Sequence, residues 1–511
     1  MIKTNSFKTL RIVFIAFLVS MIGSFFICSL LFIAYSFYPE FFVSANSPIQ
    51  LWHFSILIII SYLLIFGIIV DRSLKQKEPL TDRKKVFYAL SVLSLFIIGI
   101  IIIISVDVYN TSRLQILANT IEPKVKEHEN RKFIRPVLRG TPISGNGADV
   151  YLRIIGKNND KAAFDLFNKD DIKNLQDKDG NIKPVPDIIK KYQKQIDIIR
   201  QGTQHEYINP PLQLTLDFKF PNYIMALNMS KIMIAAAIEK CRQGKYKEGT
   251  DLFFDTLRFG QDMSSFGLLI GTMIGVSIDN TATKSFAKYL TDKHISLNDY
   301  KSSLLQMENF LNSAIDIKSS FMDEFLLQQN GFLTVLKKKE NILDFATVRP
   351  SVISQLILKP IIIDAIPKTS MIMKPIIEMA DMEYYQKKQN LKVKDIEKIA
   401  QSNIFTSIST PNFIAVIEKS IMAQAIINGL YINIALEAYY TQNHKYPDSL
   451  ESLKPAIVKY LPLDPFSGKS FIYKLKNPNH YVLYSIGKNQ IDDEGKDKHY
   501  SETGEKSDIV F

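Results

Sequence analysis

Cysteine is almost missing: Cys28 and Cys241 are the only two in 511 residues. The first falls inside an apolar run near the start, the second at the end of an expected helix. The topology read below puts a membrane between them, so no disulfide joins them. The body of the chain must hold together by its own apolar core, which about four hundred residues can supply. Histidine is sparse too, at His53, His128, His205, His294, His444, His480 and His499. No two share a helix at metal-ligand spacing, which excludes HExxH and related zinc motifs. His205-Glu206 is an isolated pair. The Gly-x-Ser-x-Gly elbow of hydrolases is missing. Gly145-Asn146-Gly147 has no P-loop lysine after it and no strand expected before it, so it reads as a turn capping the first helix of the domain. Glu378, Asp381 and Glu383 lie within two helical turns, without a histidine beside them, and read as a solvated face. No constellation names a reaction, and a non-enzymatic role is the expectation.

Long apolar runs are missing from most of the chain and crowded into its start. Ile12 to Pro39, Phe41 to Val70 and Val86 to Val106 contain no charge. Each holds the roughly 20 apolar positions a helix needs to cross about 30 Å of hydrocarbon. Three transmembrane helices are expected, at about residues 12–37, 51–70 and 86–106. After Asp107 no such stretch recurs. Ser351 to Ile366 comes nearest, but Lys359, Pro360 and Asp364 interrupt it, so a short buried or surface helix is expected there. A cleaved signal peptide does not fit, because the first run is too long and lacks a small-x-small site at its end.

Positive charge sets the orientation. Lys3, Lys8 and Arg11 precede the first run, and Arg72, Lys75, Lys77, Arg83, Lys84 and Lys85 lie between the second and third. Tyr38 to Gln50, between the first and second, carries no basic residue. Basic loops stay cytoplasmic, so the N-terminus faces the cytoplasm and residues 107–511 lie outside it. The formal net charge of +11 invites a nucleic-acid reading until it is apportioned. Nine of the 62 basic residues and four of the 51 acidic ones precede Asp107, which leaves only +6 on the remainder. Those lysines are scattered and rarely interleaved with aromatics. No nucleic-acid groove is expected. A solvated surface is.

Beyond a charged stalk, Arg135 to Tyr151 carries three glycines and two prolines, the mark of ordered turns. Ile188, Ile189, Tyr192, Ile196 and Ile199 then recur at threes and fours after Pro186-Asp187, a helix start. Asn222 to Cys241 predicts a helix, Gln243-Gly244-Lys245-Tyr246 a turn, and further helices run to about Met263 and from Phe266 to Leu290. That turn looks like a tetratricopeptide-type hairpin. One unit is not a solenoid, which needs about three, so residues 107–410 read as an irregular helical array. Pro350, Pro360, Pro367 and Pro375 are expected to break its later helices.

The last residues read differently. A helix from about Phe413 to Asn443 stacks Ile426, Leu430, Ile434 and Ala438 four apart. Tyr446-Pro447 stops it. Asp448 and Glu451 stand at capping-box spacing and open a short helix to about Lys459. Leu461-Pro462-Leu463-Asp464-Pro465 and Ser467-Gly468 make turns. Phe471, Tyr473 and Leu475 alternate as a half-buried strand should, and Asn477-Pro478-Asn479 turns into a second strand, Tyr481 to Ile486. The order Tyr446-Pro447-Asp448-Ser449-Leu450, Leu461 to Lys469, Tyr481 to Gly487 and Asp508-Ile509 resembles the globular end of the type II secretion major pseudopilin. The resemblance covers roughly residues 425–511. The whole arrangement is similar to bacterial membrane-anchored proteins that append this module to a helical domain.

In pseudopilins the loop after the second strand binds calcium through carboxylates. By resemblance Asn489 takes the place of the first ligand and Asp508 that of the last, with Asp492, Asp493, Glu494 and Asp497 between. Calcium takes six to eight oxygens. A calcium-holding loop and a plain solvated acidic loop both fit these residues. The sequence departs from the pattern at Asn489, an amide, and at the insertion Lys496-Asp497-Lys498-His499-Tyr500. It also lacks the pilin processing site: Met1 to Arg11 has none, and Asn412 stands where Phe413 to Glu418 would need a glycine before it. A polymerising pilin is not expected.

The expectation is therefore a mainly α protein of three parts: residues 1–106 in the bacterial cytoplasmic membrane, 107–410 an extracytoplasmic helical array, and 411–511 an α+β pseudopilin-like module with a small antiparallel sheet. Its partners would be the lipid bilayer and envelope proteins or pilin-type subunits; the sequence names no small-molecule ligand. Binding or assembly at the cell envelope is the first functional reading. An accessory part of a secretion or pilus-like system is the second. An envelope hydrolase with a site assembled from distant helices is the third.

Overall fold

A computed structural model describes residues 82–156, 167–215, 218–290, 294–313, 317–337, 352–380, 393–410, 413–495 and 508–511. The expected spans at 12–37 and 51–70 lie outside these residues, as does the insertion from Lys496 to Tyr500. The chain divides into two compact units, Met1–Ser112 and Arg113–Phe511.

The expected third span falls on α1, Asp82–Glu129, a single helix of 48 residues. Leu93, Ile97, Ile100, Ile101, Ile103, Ile104 and Val108 are exposed along it. From Arg113 onward the helix changes character, because Leu114, Ala118, Ile121 and Val125 are buried against Leu212, Leu214, Leu326 and Leu333. Among the described residues, two helical stretches are long and apolar enough to cross a membrane. One is Ile97–Glu129, only 11% buried in its apolar window; the other, Ala415–Asn443, is 83% buried and is a core helix.

After α1 the elements are β1 (Phe133–Ile134), β2 (Ile143–Asn146), α2 (Gly147–Ile155), α3 (Lys169–Asn174), α4 (Pro186–Lys191), α5 (Gln193–Thr203) and β3 (His205–Ile208). β3 is central in a small mixed sheet, antiparallel to β1 and parallel to β2. A strand thus does precede Gly145-Asn146-Gly147, contrary to the expectation; it pairs only at Ile143 and Asn146, in irregular register with a distant strand, which leaves no local alternation to read. The helix start is nevertheless closed by the protein itself. Asn146 Oδ1 accepts from the amides of Ala148 and Asn209, and its Nδ2 donates to Asn209 O.

Next come α6 (Tyr223–Arg242), α7 (Tyr246–Ser265), α8 (Leu268–Leu290), α9 (Leu297–Leu311) and α10 (Ile317–Lys337). The turn between α6 and α7 is where the sequence puts it. Gly244 takes φ +74°, its amide donates to Cys241 O, and Lys245 N donates to Lys240 O, a Schellman closure that only a residue tolerant of positive φ makes cheaply. The helices fold back on each other: a Cβ on Gly249 would strike Cys241, and one on Gly260 would strike Ile278 and Asp279. Ile232 to Ile238, Phe253, Phe254, Leu257 and Phe286 form the centre of the main core.

α11 (Val352–Ala380), α12 (Val393–Gln401) and α13 (Ile404–Ser409) follow. Pro360, Pro367 and Pro375 all lie inside α11, which runs through them unbroken. Each proline removes one amide donor; side chains from elsewhere in the chain also tie the helix down, Asn403 Nδ2 donating to Ile361 O and Gln329 Nε2 to Ile366 O. Burial of Ile362, Ile363, Ile366, Ile372, Met373 and Ile376 holds the rest. Tertiary packing outweighs local propensity here.

The chain ends with α14 (Phe413–Asn443), a 3-10 turn (Leu450–Leu453), β4 (Ile472–Asn477), β5 (His480–Ser485) and β6 (Ile509–Val510). β4, β5 and β6 form an antiparallel sheet in that order against α14. The expected helix from Asp448 to Lys459 is only that one turn. Ser449 precedes it without a side-chain cap, and Pro455 supplies no amide to continue it. α14 also packs against α8 and α9, so Ile427, Leu430, Tyr431 and Ile434 share one core with Phe253 and Ile278. The protein is mainly helical with a small antiparallel sheet.

Candidate functional site

The loop that the resemblance singles out leaves β5 at Ser485 and returns at Asp508, where Ser485 pairs with Ile509 and Tyr484 with Val510. Asp508 is 2% exposed. Its Oδ2 accepts from Gly495 N at 2.8 Å, whereas Oδ1 is sealed from solvent with no hydrogen-bond partner. Burial pushes the Asp508 carboxyl pKa up, and the charges of Asp493 and Asp492 push it further. Asp493 Oδ2 accepts from Asn489 Nδ2 at 3.0 Å, and Asn489 Oδ1 accepts from Ile491 N. Asp492 Oδ1 accepts from Tyr484 OH at 2.8 Å and from Glu494 N at 2.8 Å; the tyrosine bond first and the amide second hold its pKa below the usual carboxylate range. Lys488 anchors the loop to α14 through Glu418 at 3.0 Å.

All four predicted residues therefore lie in one loop, but they are not equally placed. Asp508 has an oxygen to give. Asn489 Oδ1 already accepts from Ile491 N, and Asp492 Oδ1 from Tyr484 OH and Glu494 N. Among the described residues no three of His, Cys, Asp or Glu are grouped as metal ligands. An all-oxygen donor set with one buried, unsatisfied carboxylate oxygen fits a hard cation in chemistry.

A second polar assembly was not anticipated. α7 carries Asp251, Asp255, Arg258 and Asp262 at intervals of four, three and four, which places them on one helical face. That face is buried. Arg135, 6% exposed, forks onto Asp262 through Nε (2.7 Å) and Nη2 (2.6 Å). Tyr151 OH donates to the same Asp262 at 2.5 Å. Arg135 Nη1 also donates to His205 O at 2.8 Å. Burial opposes the Arg135 charge, but Asp262 and Tyr151 more than offset it and its pKa rises. Burial, then Asp262, raises that of Tyr151 well above the usual phenol. Asp255 accepts from Arg139 (2.5 Å), Arg200 (2.8 Å) and Thr203 (3.1 Å). Gln306 bridges Asp251 and Arg139. Arg258 donates to Gln261, Ser313, Pro136 O and Asn309 O; burial, then Arg135, lowers its pKa to about 10.

The carboxylates of this seam are saturated, although Arg258 Nε is buried without a hydrogen-bond partner. Its central carboxylates are closed to solvent, and the shallow apolar depression lined by Leu152, Pro210, Pro211, Phe218, Pro221 and Phe266 contains none of them. The 4-3-4 spacing of Asp251, Asp255, Arg258 and Asp262 was the signal available in sequence. His205 is buried with Nδ1 on Gln201 O at 2.9 Å, and Glu206 is exposed. Glu378 is exposed, while Asp381 and Glu383 lie outside the described residues. Compared with family models, with curated proteins and with solved structures, the chain matches none.

Proposed function

We propose that this is a membrane-anchored binding or assembly protein of the bacterial cell envelope, held in the cytoplasmic membrane by three N-terminal helices with residues 107–511 outside the cytoplasm. The single observation that carries the reading is the row of exposed apolar residues from Leu93 to Val108 on α1. A soluble surface rarely keeps so long an apolar face open, and lipid is its natural solvent. Residues 113–511 would then form an outer body in which the α6–α7 hairpin has tetratricopeptide character and the helical array offers a protein-binding face. The C-terminal α14 and β4–β5–β6 would act as a pseudopilin-like contact module. Calcium would be held by Asp508 with Asn489, Asp492 and Asp493, and the chemistry it supplies is charge neutralisation that pins the loop.

A second reading, an accessory component of a type II secretion or pilus-like system, is favoured by the long helix packed on a three-stranded antiparallel sheet. In that reading the module does not polymerise, since α14 is already covered by α8 and α9 of its own chain. Both readings are tested by placing a photo-crosslinking residue at exposed Ile491 or Leu463 in cells whose membranes are then washed with alkaline carbonate. The first predicts retention in the washed membrane and crosslinks to envelope proteins. Crosslinks to pilin-type subunits select the second. Release of the chain into the wash contradicts both.

A further inference from the structure

The segment immediately after α1 is fastened in an unusual way. Arg131, Arg135 and Arg139 recur every fourth residue along at most about 26 Å of extended chain, and each enters a different carboxylate site. Arg131 pairs with Asp323 of α10, with Ser319 Oγ at 2.6 Å as a further acceptor. Arg135 forks onto Asp262 of α7. Arg139 meets Asp255 of α7 and Gln306 of α9. The intervening backbone is covered as well: Arg258 donates to Pro136 O, and Asn309 Nδ2 to the carbonyls of Val137 and Leu138.

We propose that residues 130–139 form a charge-clamped strap that locks the end of α1 onto the helical unit. Buried ion pairs are a costly way to hold a segment, because desolvating two charges often exceeds what their attraction returns, and apolar side chains hold more firmly. What they add is register. Each guanidinium has its own nearest carboxylate, Arg139 lying also within 3.8 Å of Asp251, and a slip of one residue along the strap uncouples all three at once. A pull or twist arriving along α1 therefore reaches α7, α9 and α10 through fixed points, and the junction is a clamp instead of a swivel. The inference does not depend on which side of a membrane the unit occupies.

The strap's own arginines make it testable with trypsin on the full chain in detergent micelles. The exposed tip at Lys178 serves as the internal reference. Cleavage after Lys178 should precede cleavage after Arg131 and Arg139 by about a hundredfold in rate, because a closed site is cut only as often as it opens; Arg135, followed by Pro136, is not a tryptic site. Replacing Asp255→Asn and Asp262→Asn together should erase most of that protection at Arg139 while helical circular dichroism persists. Asp323→Asn alone should free Arg131. If the double variant fails to fold, amide exchange in the unaltered protein decides: Arg135 N, bonded to Glu206 O at 3.2 Å, should exchange far more slowly than Lys178 N at the exposed tip. Equal cleavage at the strap and Lys178, full protection surviving in the folded variants, or equal exchange would overturn the proposal.

Discussion

A charge removed from water must find its compensation among the atoms around it, and individual residues here meet that demand differently. Asp262 does so fully, with a forked guanidinium and a phenol on its two oxygens. Asp279 on α8 does not. Its Oδ1 is closed from solvent with no hydrogen-bond partner, tucked where only the missing Cβ of Gly260 leaves room. Burial raises its pKa well above the usual carboxylate range. The folded state therefore favours the neutral acid. That contribution is whole below the unfolded pKa of about 3.9 and is lost as pH rises through the folded value. Asp279→Asn should melt higher than the parent at about pH 7, with the gap closing toward about pH 4. A variant that melts lower at neutral pH would mean the ionised carboxylate has a compensating partner. Neither behaviour was legible in sequence, since an aspartate in a helix looks the same whether it faces water or a neighbouring glycine. The α7 stripe was readable in principle. Its spacing is local, but the arginines that answer it come from residues 135, 139 and 200, and one chain gives no means of pairing them.

Elements were more legible than sites wherever their signal was local. The α6–α7 turn followed from a glycine at a helix end; of the residues stacked four apart on α14, Leu430, Ile434 and Ala438 are buried and Ile426 half-buried, within a stretch from Ile427 to Ala438 that is buried on every side. α11 was misread because proline rules describe an isolated helix, whereas burial of Ile362, Ile366, Ile372 and Ile376 against other parts of the chain holds this one. The last element depends on close packing. Phe511 N bonds Leu483 O at 3.0 Å, and its ring lies about where a Cβ on Gly429 would stand, at 2.3 Å. Gly429→Ala should lower stability by about 1–3 kcal/mol, the usual cost of overpacking. Adding Phe511→Ala should recover part of the loss in a denaturant titration; an additive further loss would place the strain elsewhere. The neighbouring loop predicts a response to calcium. Added calcium should raise the melting temperature of the full chain, and Asp508→Ala should abolish the rise, because it removes the buried oxygen that no donor satisfies. A rise that persists in Asp508→Ala would move the ion elsewhere, and no rise in the parent would leave the loop a solvated one.

At the scale of the molecule, composition and apolar patterning carried most of what could be read. The uncharged run Val86 to Val106 falls on α1, where Leu93, Ile97, Ile100, Ile101, Ile103 and Ile104 are exposed, while the equally apolar Ala415–Asn443 is buried in the core. Hydropathy does not separate a lipid-facing helix from a buried one, because both are dry; a scarcity of polar residues on every face is common to the two. The division becomes visible only when neighbours are counted. The proposed topology adds a direction to this. It places the body of the chain on the side away from the basic loop at Arg72 to Lys85. Cysteine labelling in intact spheroplasts tests it most directly, in a Cys28→Ser, Cys241→Ser background with Lys178→Cys or Gln76→Cys. A membrane-impermeant maleimide should label position 178 before permeabilisation and position 76 only after it. Labelling at 76 in intact cells with 178 protected would contradict the account.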